Sequence, residues 1–304
     1  MKILFRFDAS DGLKRRVNAL STTSVDITCC PEEDDADYRR LLPEAEVLWH
    51  VLKPVTAGEI EAAAKLKLIQ KIGSGVNTID VEAAKRRGIA VCNLPGTNSR
   101  AVAEMALLLM LACLRRLPEL DALARKQGWE KAWRLQDSFG ELCGRTVGLV
   151  GYGAVAQLLD PMLQAMGAKV LYWSRSKENA RLQDIISTSD IVSLHLPLTR
   201  ETERILDPGK MKAGAILVNT ARGGLVNEEN LAKALKSGHL AAAGLDVLAT
   251  EPPRAEHPLL ALPNVVCAPH VAWLTQETLE RSLAVALDNA KRLIEGKELR
   301  NRVA

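Results

Sequence analysis

The sequence predicts an α/β chain of two doubly wound parallel-sheet domains, and three observations predict it. Residues 146–166 read as strand, glycine turn, helix: 146–150 is an apolar run of strand length, Gly151 and Gly153 break it, and Ala154 to Met166 has a helical pattern. Short apolar runs alternate with helical patterns on both sides of this unit, the mark of a parallel sheet covered on both faces. A length of 304 residues suits about two domains, and a hydrophobic share of 47% is ample for their cores.

Taken in order, the first strands fall at 2–7, 25–28, 47–51, 67–72 and 89–92. Thr56-Ala-Gly-Glu59 is a capping box that opens a helix, and Gly88 closes a helix begun near Val81. Gly73-Ser74-Gly75-Val76-Asn77 follows a strand, at the end where open α/β sheets bind ligands; its small residues let backbone amides reach an anion, although an ordinary βα turn would look the same. After the turn 95–98, residues 99–117 form a helix apolar nearly all round, which must be buried on several sides and would cross into the second domain. Pro118 starts the next helix, and 128–144 reads as irregular. Strands then recur at 146–150, 169–173, 191–194, 215–219, 241–245 and 265–267, the number a dinucleotide-binding domain needs. A last helix, 275–295, returns to the first domain. The expected division is 1–98 with 272–304 as substrate domain, and 99–271 as dinucleotide-binding domain.

Composition excludes several functions. The net charge is +3, and the paired arginines at 15–16, 39–40, 86–87 and 115–116 read as solvated helix faces, so no nucleic-acid stripe exists. The longest apolar stretch, 106–114, is too short to span a bilayer, and the N-terminus reads as a strand rather than a secretory signal. Six cysteines show neither C-x-x-C nor metal-ligand spacing; Cys92, Cys113 and Cys267 lie in apolar runs and read as core, which points to a reduced, cytoplasmic setting without a metal.

In the glycine turn, Gly151 permits the tight turn, Gly153 leaves room for a pyrophosphate, and Ala156 packs helix against strand; the start of the helix, with Ala154 and Val155, offers free N–H groups to the anion. The strand 169–173 ends in Ser174-Arg175-Ser176-Lys177, with no carboxylate to bind a ribose 2′-hydroxyl. Ser174, Arg175 and Ser176 could instead hydrogen-bond a 2′-phosphate, which predicts NADP(H) in preference to NAD(H).

Several motifs, in order along the chain, resemble the D-isomer-specific 2-hydroxyacid dehydrogenases: 73–80, 91–98, 147–156, His195-Leu-Pro197, Val218-Asn-Thr-Ala-Arg-Gly-Gly224, Gly244-Leu-Asp-Val-Leu-Ala-Thr-Glu-Pro252 and Pro269-His-Val-Ala-Trp273. The resemblance implies a Rossmann dinucleotide-binding domain beside a discontinuous flavodoxin-like substrate domain. It gives Arg222 the substrate carboxylate, a task suited to a guanidinium's paired hydrogen bonds. It makes His270 the proton donor to the carbonyl oxygen and Glu251 its acidic partner; imidazole suits that work near neutral pH. His50, His239 and His257 read instead as caps or surface residues. By the same resemblance Ser74, Gly75 and Val76 bind the substrate carboxylate, Ser74 and Ser99 lie near the nicotinamide, and Asp246 positions the cofactor. His195, Leu196, Pro197, Thr202, Thr220 and Ala221 complete the cofactor site, which Arg222 and His270 also touch. Lys53 lines the substrate pocket or is solvated; Trp273 caps the pocket or packs at a domain interface.

The expected function is reduction of a small 2-oxo acid by NADPH, of the glyoxylate/hydroxypyruvate reductase type, in a homodimer joined through the helix 99–117. Within the family the alternatives are NAD-dependent phosphoglycerate or D-lactate type dehydrogenases. Outside catalysis, the rival is a dinucleotide-sensing, corepressor-like binding protein, against which short tails and the presence of Arg222, Glu251 and His270 count.

Overall fold

The computed structural model describes all 304 residues. They divide into two compact units, Met1–Asn98 with Thr275–Ala304, and Ser99–Leu274.

The first unit holds strands β1 (Lys2–Arg6), β2 (Asp26–Cys30), β3 (Val47–His50), β4 (Leu68–Lys71) and β5 (Ala90–Cys92) and helices α1 (Asp11–Asn18), α2 (Asp35–Leu41), α3 (Ala57–Ala62) and α4 (Val81–Arg86). The strands form one parallel sheet in the order β2-β1-β3-β4-β5. Every residue of β3 and β4 is buried, including the polar His50, Gln70 and Lys71 at their carboxyl ends, so neither strand alternates between core and solvent. The box at Thr56 forms as expected: its hydroxyl accepts from the Glu59 amide and the Glu59 carboxylate accepts from the Thr56 amide. Gly88 ends α4 with φ +65°, open to glycine without strain.

The second unit opens with α5 (Ser99–Arg115), α6 (Leu117–Arg125) and α7 (Trp129–Trp133), then β6 (Thr146–Val150), α8 (Ala154–Ala165), β7 (Lys169–Trp173), α9 (Leu182–Thr188), β8 (Ile191–Leu194), β9 (Ala215–Asn219), α10 (Glu228–Lys236), β10 (Leu240–Leu245) and β11 (Val265–Cys267). Its six strands are parallel, in the order β11-β10-β9-β8-β6-β7. Strand alternation splits the core into two layers: Val150, Val192, Leu194 and Leu217 pack with α9 and α10, while Val147, Leu149, Ile191 and Val218 pack with α5 and α8. A Cβ on Gly244 of β10 would stand 2.9 Å from the Leu109 Cβ, so that glycine sets how closely α5 lies on the sheet. Helix α5 buries most of its surface, as its composition requires, but leaves Leu108 52% exposed. Helix α11 (Gln276–Ile294) returns the chain to the first unit, where Asn289 donates to the Gln70 side chain at 2.7 Å. No helix is long and apolar enough to cross a membrane.

Five expectations need correction. Residues 128–144 are not wholly irregular: α7 and a 3₁₀ turn at Gln136–Ser138 interrupt them, and both tryptophans of α7 face solvent, so no core-facing periodicity announced it. Cys267 is exposed because β11 is an edge strand, whereas Cys92 and Cys113 are buried as expected. His50 is buried, ending a central strand, and Arg87 donates to the Ile60, Glu61 and Ala63 carbonyls instead of lying in solvent. Residues 272–274 stay with the second unit, because Asp246 accepts from the Val271 and Ala272 amides and the Trp273 indole donates to the His270 carbonyl.

Candidate active site

The glycine turn leaves the carboxyl end of β6. Gly151 has φ +98°, and a Cβ there would meet the His195 carbonyl oxygen at 2.5 Å, so fold and close packing both require it. Gly153 differs: a Cβ there would meet nothing within 4 Å, so the protein itself makes no demand for glycine and leaves open space before α8. Gly153 is the N-cap of α8 without a side-chain capping bond, and Ala154 and Val155 form the first turn, where helix N–H groups and dipole favour an anion. Ala156 is fully buried in the core beneath. The Thr220 hydroxyl is buried without a hydrogen-bond partner. An open cradle at a helix N-terminus and an orphaned hydroxyl past β9 fit a bound dinucleotide.

The neighbouring loops are held by their own polar groups. His195 Nε2 lies 3.0 Å from the Ser193 hydroxyl, and burial pushes the His195 pKa down to about 4, so the ring is neutral. Thr202 donates to the Pro197 carbonyl at 2.7 Å and accepts from the Thr199 amide, which fixes the turn after Leu196. The Ala221 amide donates to the Asn219 side chain.

Past β7, the Ser174 hydroxyl donates to the Lys177 carbonyl at 2.8 Å and accepts from the Lys177 amide at 3.0 Å. Its one proton is thereby spent on the turn, contrary to the expectation that it could donate to a 2′-phosphate. Arg175 and Ser176 are exposed. Sequence reasoning assigned nothing to Lys177, yet its ammonium stands 4.9 Å from the ring centre of Tyr152, the residue between Gly151 and Gly153. Tyr152 is stacked on Tyr172 of β7 at 3.8 Å. The available signal was a second cation two residues past Arg175, at the end of Ser-Arg-Ser-Lys.

Strands β9, β10 and β11 lie side by side, with Asn219, Leu245 and Cys267 in register at their carboxyl ends. The loops that follow carry Arg222, then Asp246 and Glu251, then His270. His270 Nδ1 is 2.6 Å from Glu251 Oε2, and Glu251 Oε1 accepts from the Leu248 amide at 2.8 Å. Burial pushes the Glu251 carboxyl up, but the His270 hydrogen bond and charge, the Leu248 amide and Arg222 together outweigh it and hold the group below the ordinary glutamate range. Backbone φ at His270 is +55°, a left-handed conformation sustained by its amide donating to the Asp246 carbonyl at 2.8 Å. Asp246 is 1% exposed and its carboxylate accepts from the Val271 and Ala272 amides. Burial raises the Asp246 pKa more than those amides and His270 lower it. Asp246 therefore anchors the loop that presents His270. Trp273 is buried beneath that loop, with its indole on the His270 carbonyl.

Arg222 follows β9 with Nη1 on the Ala221 carbonyl at 2.6 Å, and Asn219 donates to the Arg222 carbonyl at 2.8 Å. Burial lowers its pKa, partly offset by the Glu251 charge. A Cβ on Gly223 would lie 2.0 Å from the Leu248 carbonyl carbon, so the Arg222 and Glu251 loops touch backbone to backbone.

In the first unit, the Gly73 carbonyl accepts from the Leu94 amide and Gly73 has φ +150°. Asn93 donates to the Ser74 carbonyl at 2.7 Å, the Ser74 hydroxyl to the Leu94 carbonyl, and Gly75 and Val76 are half-buried. The Lys53 ammonium is paired with Asp35 at 2.7 Å and donates to the Glu32 carbonyl. Ser99 is buried at the start of α5.

A family model described as D-isomer specific 2-hydroxyacid dehydrogenase, NAD binding domain, matches residues 107–272, all within the second unit. A hydroxypyruvate reductase from Thermotoga maritima is 38% identical over 291 residues, 91% of this chain and 94% of its own. A D-3-phosphoglycerate dehydrogenase from Mycobacterium bovis is 40% identical over 266 residues, 82% of this chain and 50% of its own, so this chain spans about half that protein's length. The crystal structure of the TT0316 protein from Thermus thermophilus matches with a TM-score of 0.89 and 36% identity over 100% of both chains. A carboxylate–imidazole pair on a loop adjoining that of a half-buried arginine, on a unit that this family's model describes, leads to one assignment: the chain belongs to the D-isomer specific 2-hydroxyacid dehydrogenases, NAD(P)-dependent oxidoreductases acting on CH–OH groups.

Proposed function

We propose that the protein is an NADP(H)-preferring reductase of small 2-oxo acids, glyoxylate and hydroxypyruvate above all. The observation that carries this is the 2.6 Å pair of His270 Nδ1 and Glu251, on loops adjoining Arg222. Arg222 binds the substrate carboxylate through its guanidinium fork and so fixes which face of the carbonyl is presented. Ser74, Gly75 and Val76 keep the carboxylate-binding role the family resemblance gives them. When bound, the reduced nicotinamide supplies the hydride. His270 holds its Nδ1 proton toward Glu251, which leaves Nε2 to give a proton to the carbonyl oxygen; the Glu251 charge stabilises the ring before that transfer. Gly153, Ala154, Val155, Thr220 and Ala221 hold the dinucleotide. Lys53, already neutralised by Asp35, is a poor anchor for a second anionic group, which favours small substrates over phosphorylated ones.

The cofactor preference rests on the end of β7, where no carboxylate repels a 2′-phosphate and Arg175 and Lys177 offer two cations. Initial rates with NADPH and NADH against glyoxylate, hydroxypyruvate, pyruvate and 3-phosphohydroxypyruvate test both halves of the proposal. Turnover of the first two with NADPH supports it; equal or better kcat/KM with NADH, or preference for the phosphorylated acid, overturns the finer reading. Arg175→Ala and Lys177→Ala are each expected to raise KM for NADPH by roughly tenfold, the worth of a charge-assisted hydrogen bond, with KM for NADH changed less than about twofold.

We further propose a cytoplasmic homodimer. Cys30, Cys92 and Cys113 are buried free thiols, in keeping with a reducing compartment. Leu108, Leu117, Trp129 and Trp133 are 52%, 51%, 59% and 67% exposed on consecutive helices of the second unit, apolar surface that a monomer rarely leaves in water. Light scattering is expected to give twice the chain mass for the native protein and the single-chain mass for Trp129→Glu with Trp133→Glu.

A further inference from the structure

Glu251 sits on a turn that a second carboxylate holds. Glu228 is the first residue of α10, whose N-cap Asn227 accepts from the Asn230 amide. With its own helix start capped, the Glu228 side chain is free to reach across to the loop after β10. Oε1 accepts from the Ala249 amide at 2.7 Å and Oε2 lies 3.2 Å from His257 Nε2. Both side chains are largely buried, at 18% and 14% exposure. His257 Nδ1 is buried with no partner, so the proton of the neutral ring belongs on Nε2, where Glu228 accepts it.

The adjacency is what matters. The Leu248 amide donates to Glu251 and the next amide, Ala249, donates to Glu228. Only the φ and ψ of Leu248 separate these two N–H groups, so holding the second narrows the directions open to the first. The same two residues are backed by Gly223, the residue after Arg222. Without Glu228, largely buried His257 Nε2 loses its acceptor, the exposed Ala249 amide turns to solvent, and the turn is left to Gly223 and Glu251 alone.

We propose that Glu228 is a positioning residue for the proton-delivering pair: through the Ala249 amide and His257 it holds the 248–251 turn so that Glu251 meets His270. The proposal rests on the reading of Glu251 and His270 as that pair. Glu228 touches neither substrate nor cofactor in this scheme; its effect passes through Glu251 alone.

A double-mutant cycle tests it, with glyoxylate and NADPH as substrates and thermal unfolding as a folding control. Glu228→Ala is expected to lower kcat by about tenfold and to change KM for either substrate by less than about twofold, the signature of a group that acts on the chemical step. Glu228→Gln keeps an oxygen for Ala249 and is expected to recover kcat to within about threefold of the native value. In a Glu251→Gln background, Glu228→Ala should cost less than about twofold more, because the residue through which it acts is already disabled. If the full tenfold loss persists in that background, Glu228 is merely structural and the proposal fails. If Glu251→Gln alone leaves kcat and its pH profile unchanged, the pair itself is misread and the proposal falls with it, a distinguishable result. Should Glu228→Ala not fold, Glu228→Gln and His257→Gln run the same cycle with milder losses, and additivity in both would overturn the inference.

Discussion

His270→Asn is expected to lower kcat by roughly 10²–10⁴, the usual worth of a positioned general acid, with cofactor affinity nearly unchanged. Asparagine is the informative replacement. His270 has φ +55°, a region where alanine is strained and asparagine is tolerated. An alanine variant would mix the loss of the proton donor with a shift of the loop that Asp246 ties down through residues 271 and 272. Asparagine keeps the backbone and removes the imidazole. The accompanying pH prediction has a definite sign. Glu251 is held below the ordinary glutamate range, so it stays ionised beside His270 until the solution becomes more acidic than that lowered value. The stabilisation that the ionised Glu251 gains in the fold is therefore present above the ordinary glutamate pKa and is lost as pH falls through the folded one. Reductase kcat/KM should hold through the weakly acidic range and decline below it; Glu251→Gln should be slower throughout and lack that acid limb. Rates measured across pH on native, Glu251→Gln and His270→Asn proteins, with unfolding followed in parallel, check all three statements.

What the sequence revealed and what it hid follow from the range of the interactions concerned. Strands β6, β8 and β9 were legible because parallel strands buried on both faces are written as continuous apolar runs, and their observed bounds match the expected ones residue for residue. Asp246, Glu251 and His270 were picked out by motifs that resemble a known family, since β11 before His270 is a partly exposed edge strand and no local pattern marks them. The partners that give those residues their function were not. Glu228 reaches Ala249 across 21 positions of sequence, and nothing local marks a glutamate at the start of a helix as anything more than a favourable dipole contact. Lys177 reads as one more exposed cation until the turn at Ser174 folds it over Tyr152. His50 looked peripheral because burial belongs to the sheet order, and β3 is central only once β1 and β4 flank it. Trp129 and Trp133 lie one helical turn apart on a helix that buries no side chain, so no core-facing stripe was there to read.

Gly223→Ala and Gly153→Ala are expected to fail in opposite ways, and the contrast separates glycine required by the fold from glycine required by a ligand. At Gly223 a Cβ would lie 2.0 Å from the Leu248 carbonyl carbon, 2.2 Å from the Ala249 nitrogen and 2.3 Å from the Leu248 oxygen. All three are backbone atoms, so no change of rotamer relieves the clash; one loop must move. In the proposed scheme either loop carries chemistry: Arg222 precedes Gly223, and Glu251 is held by the Leu248 amide. A displacement of about 1 Å is enough to cost roughly a hundredfold in rate when reacting groups are held by geometry, and overpacking of this kind costs about 1–3 kcal/mol of stability. Gly223→Ala should therefore lower both kcat/KM and the unfolding temperature while binding of the dinucleotide survives. At Gly153 a Cβ would meet no protein atom within 4 Å, and φ of −86° suits alanine. Gly153→Ala should unfold at or slightly above the native temperature, since alanine narrows the unfolded ensemble. If the pyrophosphate approaches the backbone there, the methyl group occupies its place, and the dissociation constant for NADPH should rise by about tenfold or more, the cost of lost anion contacts at a helix N-terminus. Unfolding scans and cofactor fluorescence titrations on the two variants decide the matter. A stable Gly153→Ala protein that binds NADPH normally would place the pyrophosphate elsewhere, and a Gly223→Ala protein with native kcat would show that the two catalytic loops do not depend on their contact.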